Sequence, residues 1–210
     1  MSHCPSRKNV FWLCVLPLAL AACKPKETRV LLQPSQALGV VLAEQTAQLA
    51  GAKKRIAVIG PDANWGPTST VEESFKIAMQ KRGCSVVRAK AANLGDPMRS
   101  GEVGLKTADF LEVLQKSSDV GAIVSFAGAP LLKPADIARV PADHPPVLVL
   151  GTTMLGNLPG VPGDPMQMGR LLDARIIQLA IIDGSEPAMP KTDATHELFA
   201  QHYRILRRPD

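Results

Sequence analysis

Asp62, Asn64 and Trp65, then Asn93 and Asp96, then Ser125, then Thr152 and Thr153, and finally Asp183, each follow an apolar run of strand type. Carboxylates, amides and hydroxyls gathered this way can hydrogen-bond a polar ligand while an indole stacks on its apolar face. Reaction chemistry finds less support. No G-x-x-x-x-G-K loop and no G-x-G-x-x-G follows the first strand, so no nucleotide cofactor is expected. Ser125 sits between Ile123 and Ala127, where a nucleophile elbow needs glycines. His196 and His202 are six residues apart, on different faces of a helix, with no cysteine nearby, so no metal site is expected. No nucleophile, base and orienting group come together, and the reading is non-enzymatic.

These residues matter only if the chain brings them to one place. Pro34-Ser35 opens a helix with Leu38, Val41, Leu42 and Leu49 at helical spacing, and Gly51 suits its C′ position. Arg55 to Gly60 is an apolar strand, Ser69-x-x-Glu72 reads as a capping box, and Val71, Phe75, Ala78 and Met79 mark a buried helix face ending at Gly83. Cys84 to Arg88 is the next strand, which completes a βαβ unit with parallel strands. A long loop spans Lys90 to Lys106, a helix Thr107 to Lys116, and a third strand Gly121 to Phe126, broken by Ala127 to Pro130. Pro134 to Val140 reads as a short helix and Val147 to Leu150 as a fourth strand. The turn-rich stretch 156–163 holds no regular element, Asp164-Pro165 starts a helix, and Arg175 to Ile182 is a fifth strand. Ala194 to Arg208 reads as a short helix and an extended end, with Leu198, Phe199, Tyr203 and Leu206 spaced to pack.

Strands alternating with helices predict a three-layer α/β fold, a Rossmann-like open parallel sheet of about five strands in the order 2-1-3-4-5. In such a sheet the carboxyl ends converge, which places the nine residues along one crevice. Another reading stays open: Trp65 plugs the top of the core, Asp62 and Asn64 make turn bonds, and the threonines cap the next segment.

The amino terminus belongs to targeting. Arg7 and Lys8 precede an apolar run, Val10 to Ala22, too short to span a bilayer comfortably. It ends Leu20-Ala21-Ala22-Cys23, which resembles the lipobox of bacterial lipoproteins; an ordinary secretory peptide cut near Ala22 is the alternative. The resemblance implies lipidation of Cys23, cleavage before it and an anchor of several acyl chains, which holds a protein on a membrane essentially permanently. By resemblance to the enterobacterial sorting rule, in which Asp at the following position keeps a lipoprotein in the inner membrane, Lys24 favours the outer membrane, with the protein facing the periplasm. The expected organisation is a signal peptide over 1–22, a lipidated tether over 23–33, one α/β domain over 34–185, and a linker and packing tail over 186–210.

Cleavage takes two of the 24 basic residues and none of the 19 acidic ones, leaving a net charge of +3. Basic residues are scattered without aromatic interleaving, so nucleic acid is not an expected partner. Of the four cysteines, Cys84 alone stays free in the processed chain, which excludes an internal disulfide.

The run Leu49-Ala50-Gly51, then Lys54 to Gly60, then Phe75-Lys76-Ile77-Ala78-Met79-Gln80-Lys81-Arg82-Gly83-Cys84-Ser85-Val86-Val87 is similar to the opening of type I periplasmic solute-binding proteins. The resemblance implies a sugar- or amino-acid-type solute bound at the strand edge. Those receptors close two lobes on their ligand, whereas this sequence has material for one, so closure would call on a partner chain or a homodimer. The alternative is a structural or assembly lipoprotein that docks on another envelope protein through the same face or through the tail.

Overall fold

The computed structural model describes residues 26–62, 69–95, 104–151, 165–184 and 194–208. Asn64, Trp65, Asp96, Thr152, Thr153, the lipobox, and the turn-rich stretch 156–163 lie outside them.

Six strands form one sheet in the order β2-β1-β3-β4-β5-β6. Strands β1 (Arg55–Pro61), β2 (Ser85–Ala92), β3 (Ala122–Ser125), β4 (Val147–Gly151) and β5 (Leu179–Asp183) are parallel, in the 2-1-3-4-5 order read from the sequence. The sixth, β6 (Tyr203–Arg207), runs antiparallel to β5 from the end of α6 (Thr195–His202). The tail is therefore part of the sheet, and its Phe199 and Tyr203 are buried.

Successive residues of a strand point to opposite faces, and both faces are covered. Ile56 and Val58 of β1 pack with α1 (Lys26–Ala50), α2 (Thr70–Lys81) and α6; Ala57 and Ile59 pack with α3 (Thr107–Lys116) and α5 (Pro165–Asp173). A one-turn helix, α4 (Pro134–Ile137), precedes β4.

Three boundaries differ from expectation by four residues or more. Helix α1 begins at Lys26 and carries Pro34 in its interior, so Pro34 does not open it. The stretch Lys26-Glu27-Thr28-Arg29-Val30-Leu31-Leu32-Gln33 is rich in good helix formers, and it stays helical although a proline removes one hydrogen bond and crowds the preceding turn. Strand β2 continues to Ala92, four residues past Arg88, accommodating one extra residue where Val58 pairs with Arg88 and Ile59 with Lys90. Strand β5 begins at Leu179 instead of Arg175. Arg175 has φ 59°, and Ile176 and Ile177 are buried as a packed turn, so their apolar character serves the core and not the ladder.

Helix α2 starts on half a capping box. The Ser69 hydroxyl accepts the Glu72 N–H at 3.2 Å, while the Glu72 carboxylate turns to Arg88 and Lys76, each at 2.6 Å. Helices α1 and α2 meet at Gly39, where a Cβ would lie 2.5 Å from the Val71 carbonyl oxygen.

Candidate functional site

The five parallel strands end side by side at Pro61, Ala92, Ser125, Gly151 and Asp183. Asp62 and Asn93 follow neighbouring strands, and the Asp62 N–H donates to the Ala92 carbonyl at 2.9 Å. Asp62 is half-buried and Asn93 exposed. The Asn93 side-chain oxygen accepts the Gly95 N–H at 2.9 Å, a turn-forming bond of the kind asparagine makes locally. Asp183 ends β5, three strands from β1, which at about 4.8 Å per strand puts it roughly 14 Å from Asp62.

Ser125 lies between these two groups and is wholly buried. Its hydroxyl donates to the Gly128 carbonyl at 2.6 Å, fastening the turn that leaves β3. The described candidates thus form two exposed or half-exposed clusters, Asp62 with Asn93 and Asp183 by itself, separated by a serine committed to the backbone.

Two residues that the sequence reading assigned elsewhere support this edge. Arg88 of β2 donates to Glu72, 2% exposed, and more weakly, at 3.4 Å, to the Pro61 carbonyl beside Asp62. It ties the start of α2 to the end of β1. Glu72 read as a capping residue because the Ser-x-x-Glu spacing is identical; nothing local foretells that β2 brings an arginine to it. At the other cluster, Tyr203 is paired in register with Asp183 and hydrogen-bonded to Ser35 of α1. Burial chiefly, then the Asp183 charge, push the phenol up to about 12, against the Ser35 bond, which lowers it.

Beside the edge, where α3 begins, an open depression of about 550 Å³ is lined by Lys106, Thr107, Ala108, Leu131, Lys133 and Asp136. Thr107 closes its floor by donating to the Leu131 carbonyl at 2.7 Å. A smaller cavity of about 170 Å³ lies between β2 and α3, with Arg55, Arg88, Glu112, Lys116 and Asp119 around it. Its charges are internally matched: Arg55 pairs with Asp119, and Lys116 with Glu112 at 2.7 Å. Lys90 joins them, bonded to Asp109 at 2.8 Å and Glu112 at 2.7 Å, which holds its ammonium charged well above the ordinary lysine range. Hydrogen bonds from Lys116 and Lys90 hold Glu112 down at about 2. Exposed pairs of this kind add little stability, and their opposite charges leave little net field for a charged ligand.

Among the described residues no group of three or more His, Cys, Asp or Glu side chains could hold a metal ion. His196 pairs with Glu44 of α1 at 3.4 Å, and His202 ends α6, so the two histidines serve different contacts. Cys84 is a free, buried thiol. No described helix is long and apolar enough to cross a membrane.

No family model matches this sequence, and no curated protein matches it. Among solved structures the chain is similar to the arabinose-binding protein AraP from Geobacillus stearothermophilus, with 15% identity and a TM-score of 0.45 over 70% of this chain and 45% of that one. It is also similar to a periplasmic ribose ABC transporter from Conexibacter woesei, with 19% identity and a TM-score of 0.44 over the same shares of the two chains. The matched part is less than half the length of either structure.

Proposed function

We propose that this chain is a lipid-anchored, non-enzymatic protein of the bacterial cell envelope that binds a small polar solute, of sugar or amino acid type, at the carboxyl edge of its sheet. The observation that carries the reading is the edge itself: five parallel strands end together there, with Asp62 and Asn93 at one side and Asp183 at the other. Open α/β sheets bind ligands outside these strand ends. Asn64, Trp65, Asp96, Thr152 and Thr153 would complete the site, with Trp65 as a stacking surface, and Cys23 would carry the lipid. The lipobox-like Leu20-Ala21-Ala22-Cys23 supports the anchor, and the Lys24 that follows it favours the outer membrane.

Docking on an envelope protein through the same face is the second reading. The tail is a poorer docking element, because Phe199 and Tyr203 are spent inside the core. The test is a thermal-shift screen of sugars, amino acids and nucleosides on chain lacking residues 1–23, with Trp65 fluorescence followed for each hit. A hit that raises the melting temperature and changes the fluorescence is expected. The absence of any hit at millimolar ligand would overturn solute binding and leave docking.

A further inference from the structure

Helix α1 runs from one edge of the sheet to the other, and its direction is fixed by contacts at both ends. Ser35 is buried and hydrogen-bonded to Tyr203, which stands opposite Asp183 at the carboxyl edge. Gln45 accepts from Arg207, which stands opposite Leu179 at the start of β5. Ala50 then leads through a short turn into Arg55, the first residue of β1. The helix therefore descends toward the amino edge, and its beginning lies at the candidate site.

It begins well before Ser35. The nine residues Lys26 to Pro34 are helical, and at 1.5 Å per residue they add about 13 Å of helix length ahead of Ser35, with Pro34 at the junction. Only Lys24 and Pro25 separate the helix from Cys23, a span of about 10 Å at full stretch. Residues 24–33 hold Lys24, Lys26 and Arg29 against Glu27, a net charge of +2 suited to an anionic headgroup layer.

We infer that the carboxyl edge of the sheet faces the membrane, with α1 acting as a strut between the lipid on Cys23 and the candidate site, so that ligands reach the site from the membrane side. This rests on the lipid-anchor reading given above. A free solute would then enter laterally, through the gap that the strut holds open between the edge and the bilayer.

Strand β2 supplies both reporters for a test. Ser85 at its start and Ala91 near its end are exposed, and six residues put them about 20 Å apart along one strand. In the lipidated full chain carrying Cys84→Ser, Ser85→Cys or Ala91→Cys is labelled with a donor dye. Each is reconstituted into phosphatidylcholine vesicles containing phosphatidylglycerol and a headgroup-labelled acceptor lipid. Energy transfer from position 91 is expected to exceed that from position 85 severalfold, and a flexible glycine-serine insert between Pro25 and Lys26 is expected to erase the difference. Chain that sediments with the vesicles but gives equal or reversed transfer overturns the orientation alone, as does a difference that survives the insert. Chain that fails to sediment, or membranes that retain Cys23→Ser as well as wild type, overturn the anchor and the orientation with it.

Discussion

Tyr203 is the only tyrosine of the chain, so absorbance near 295 nm reports its ionisation directly. Its phenol, buried beside the Asp183 carboxylate, is pushed up to about 12 from the ordinary tyrosine value of 10.0. Between those two values the folded chain binds more protons than the unfolded one, so stability falls as pH rises. The contribution is fully present below pH 10 and is lost through about 12, a loss of at most roughly 2–3 kcal/mol. Native protein should titrate near the upper value and protein in concentrated urea near the lower one. The urea midpoint of wild type should fall between these pH values relative to that of Tyr203→Phe. Identical native and unfolded titrations would contradict the burial. Glu72 makes a second case at this scale: it is 2% exposed and accepts from both Lys76 and Arg88 at 2.6 Å. Glu72→Gln keeps the shape and removes the charge under two cations, and should cost about 1–3 kcal/mol in urea unfolding at neutral pH. A cost within error of zero would mean that the cations find water instead.

Helices α1 and α2 touch where Gly39 faces the first turns of α2. A Cβ there would sit 2.5 Å from the Val71 carbonyl oxygen and 2.8 Å from the Phe75 nitrogen, both backbone atoms that cannot swing aside. Alanine is worth about 1 kcal/mol more than glycine in a helix interior. The clash forces the helices apart, and overpacking of this kind costs about 1–3 kcal/mol. Gly39→Ala should therefore lower the melting temperature, whereas the exposed helical Gln48→Ala should leave it nearly unchanged; a rise at Gly39 would show that the helices are free to separate. What could be read from sequence follows the same division between local and distant causes. Helix α3 is found at Thr107–Lys116, as its Phe110, Leu111 and Leu114 spacing requires, because an amphipathic stripe is a local signal. Strand β6 joining the sheet was not legible, because Tyr203–Arg207 owes its pairing to β5, whose paired residues lie 20 to 28 positions earlier. Likewise Asp62, Asn93 and Asp183 sit at the strand ends that the alternating pattern predicts, while the committed hydroxyl of Ser125 and the Arg88–Glu72 tie depend on neighbours that only the folded sheet supplies.

The connections of the whole molecule make α1 necessary. Crossovers between parallel strands are right-handed as a rule, and those from β2 to β3, β3 to β4 and β4 to β5 all proceed in one direction across the sheet, so α3 and α5 fall on one face. On the opposite face α2 covers only the β1–β2 side, and Leu148, Leu150, Leu179 and Ile181 would meet water there without α1 and α6. Leu38, Val41 and Leu42 of α1, at most 3% exposed, fill that position. Burying three such side chains is worth about 5–9 kcal/mol, close to the whole stability of an ordinary domain at about 5–15 kcal/mol. Chain beginning at Gly51 should accordingly lose its cooperative thermal transition and bind a hydrophobic dye. Chain beginning at Pro34 keeps these three residues together with Ser35 and its bond to Tyr203, and should melt cooperatively. If both truncations melted like the full chain, the coverage of this face by α1 would be incidental, and α1 would no longer be the rigid link through which an anchor at Cys23 could set the orientation of the carboxyl edge.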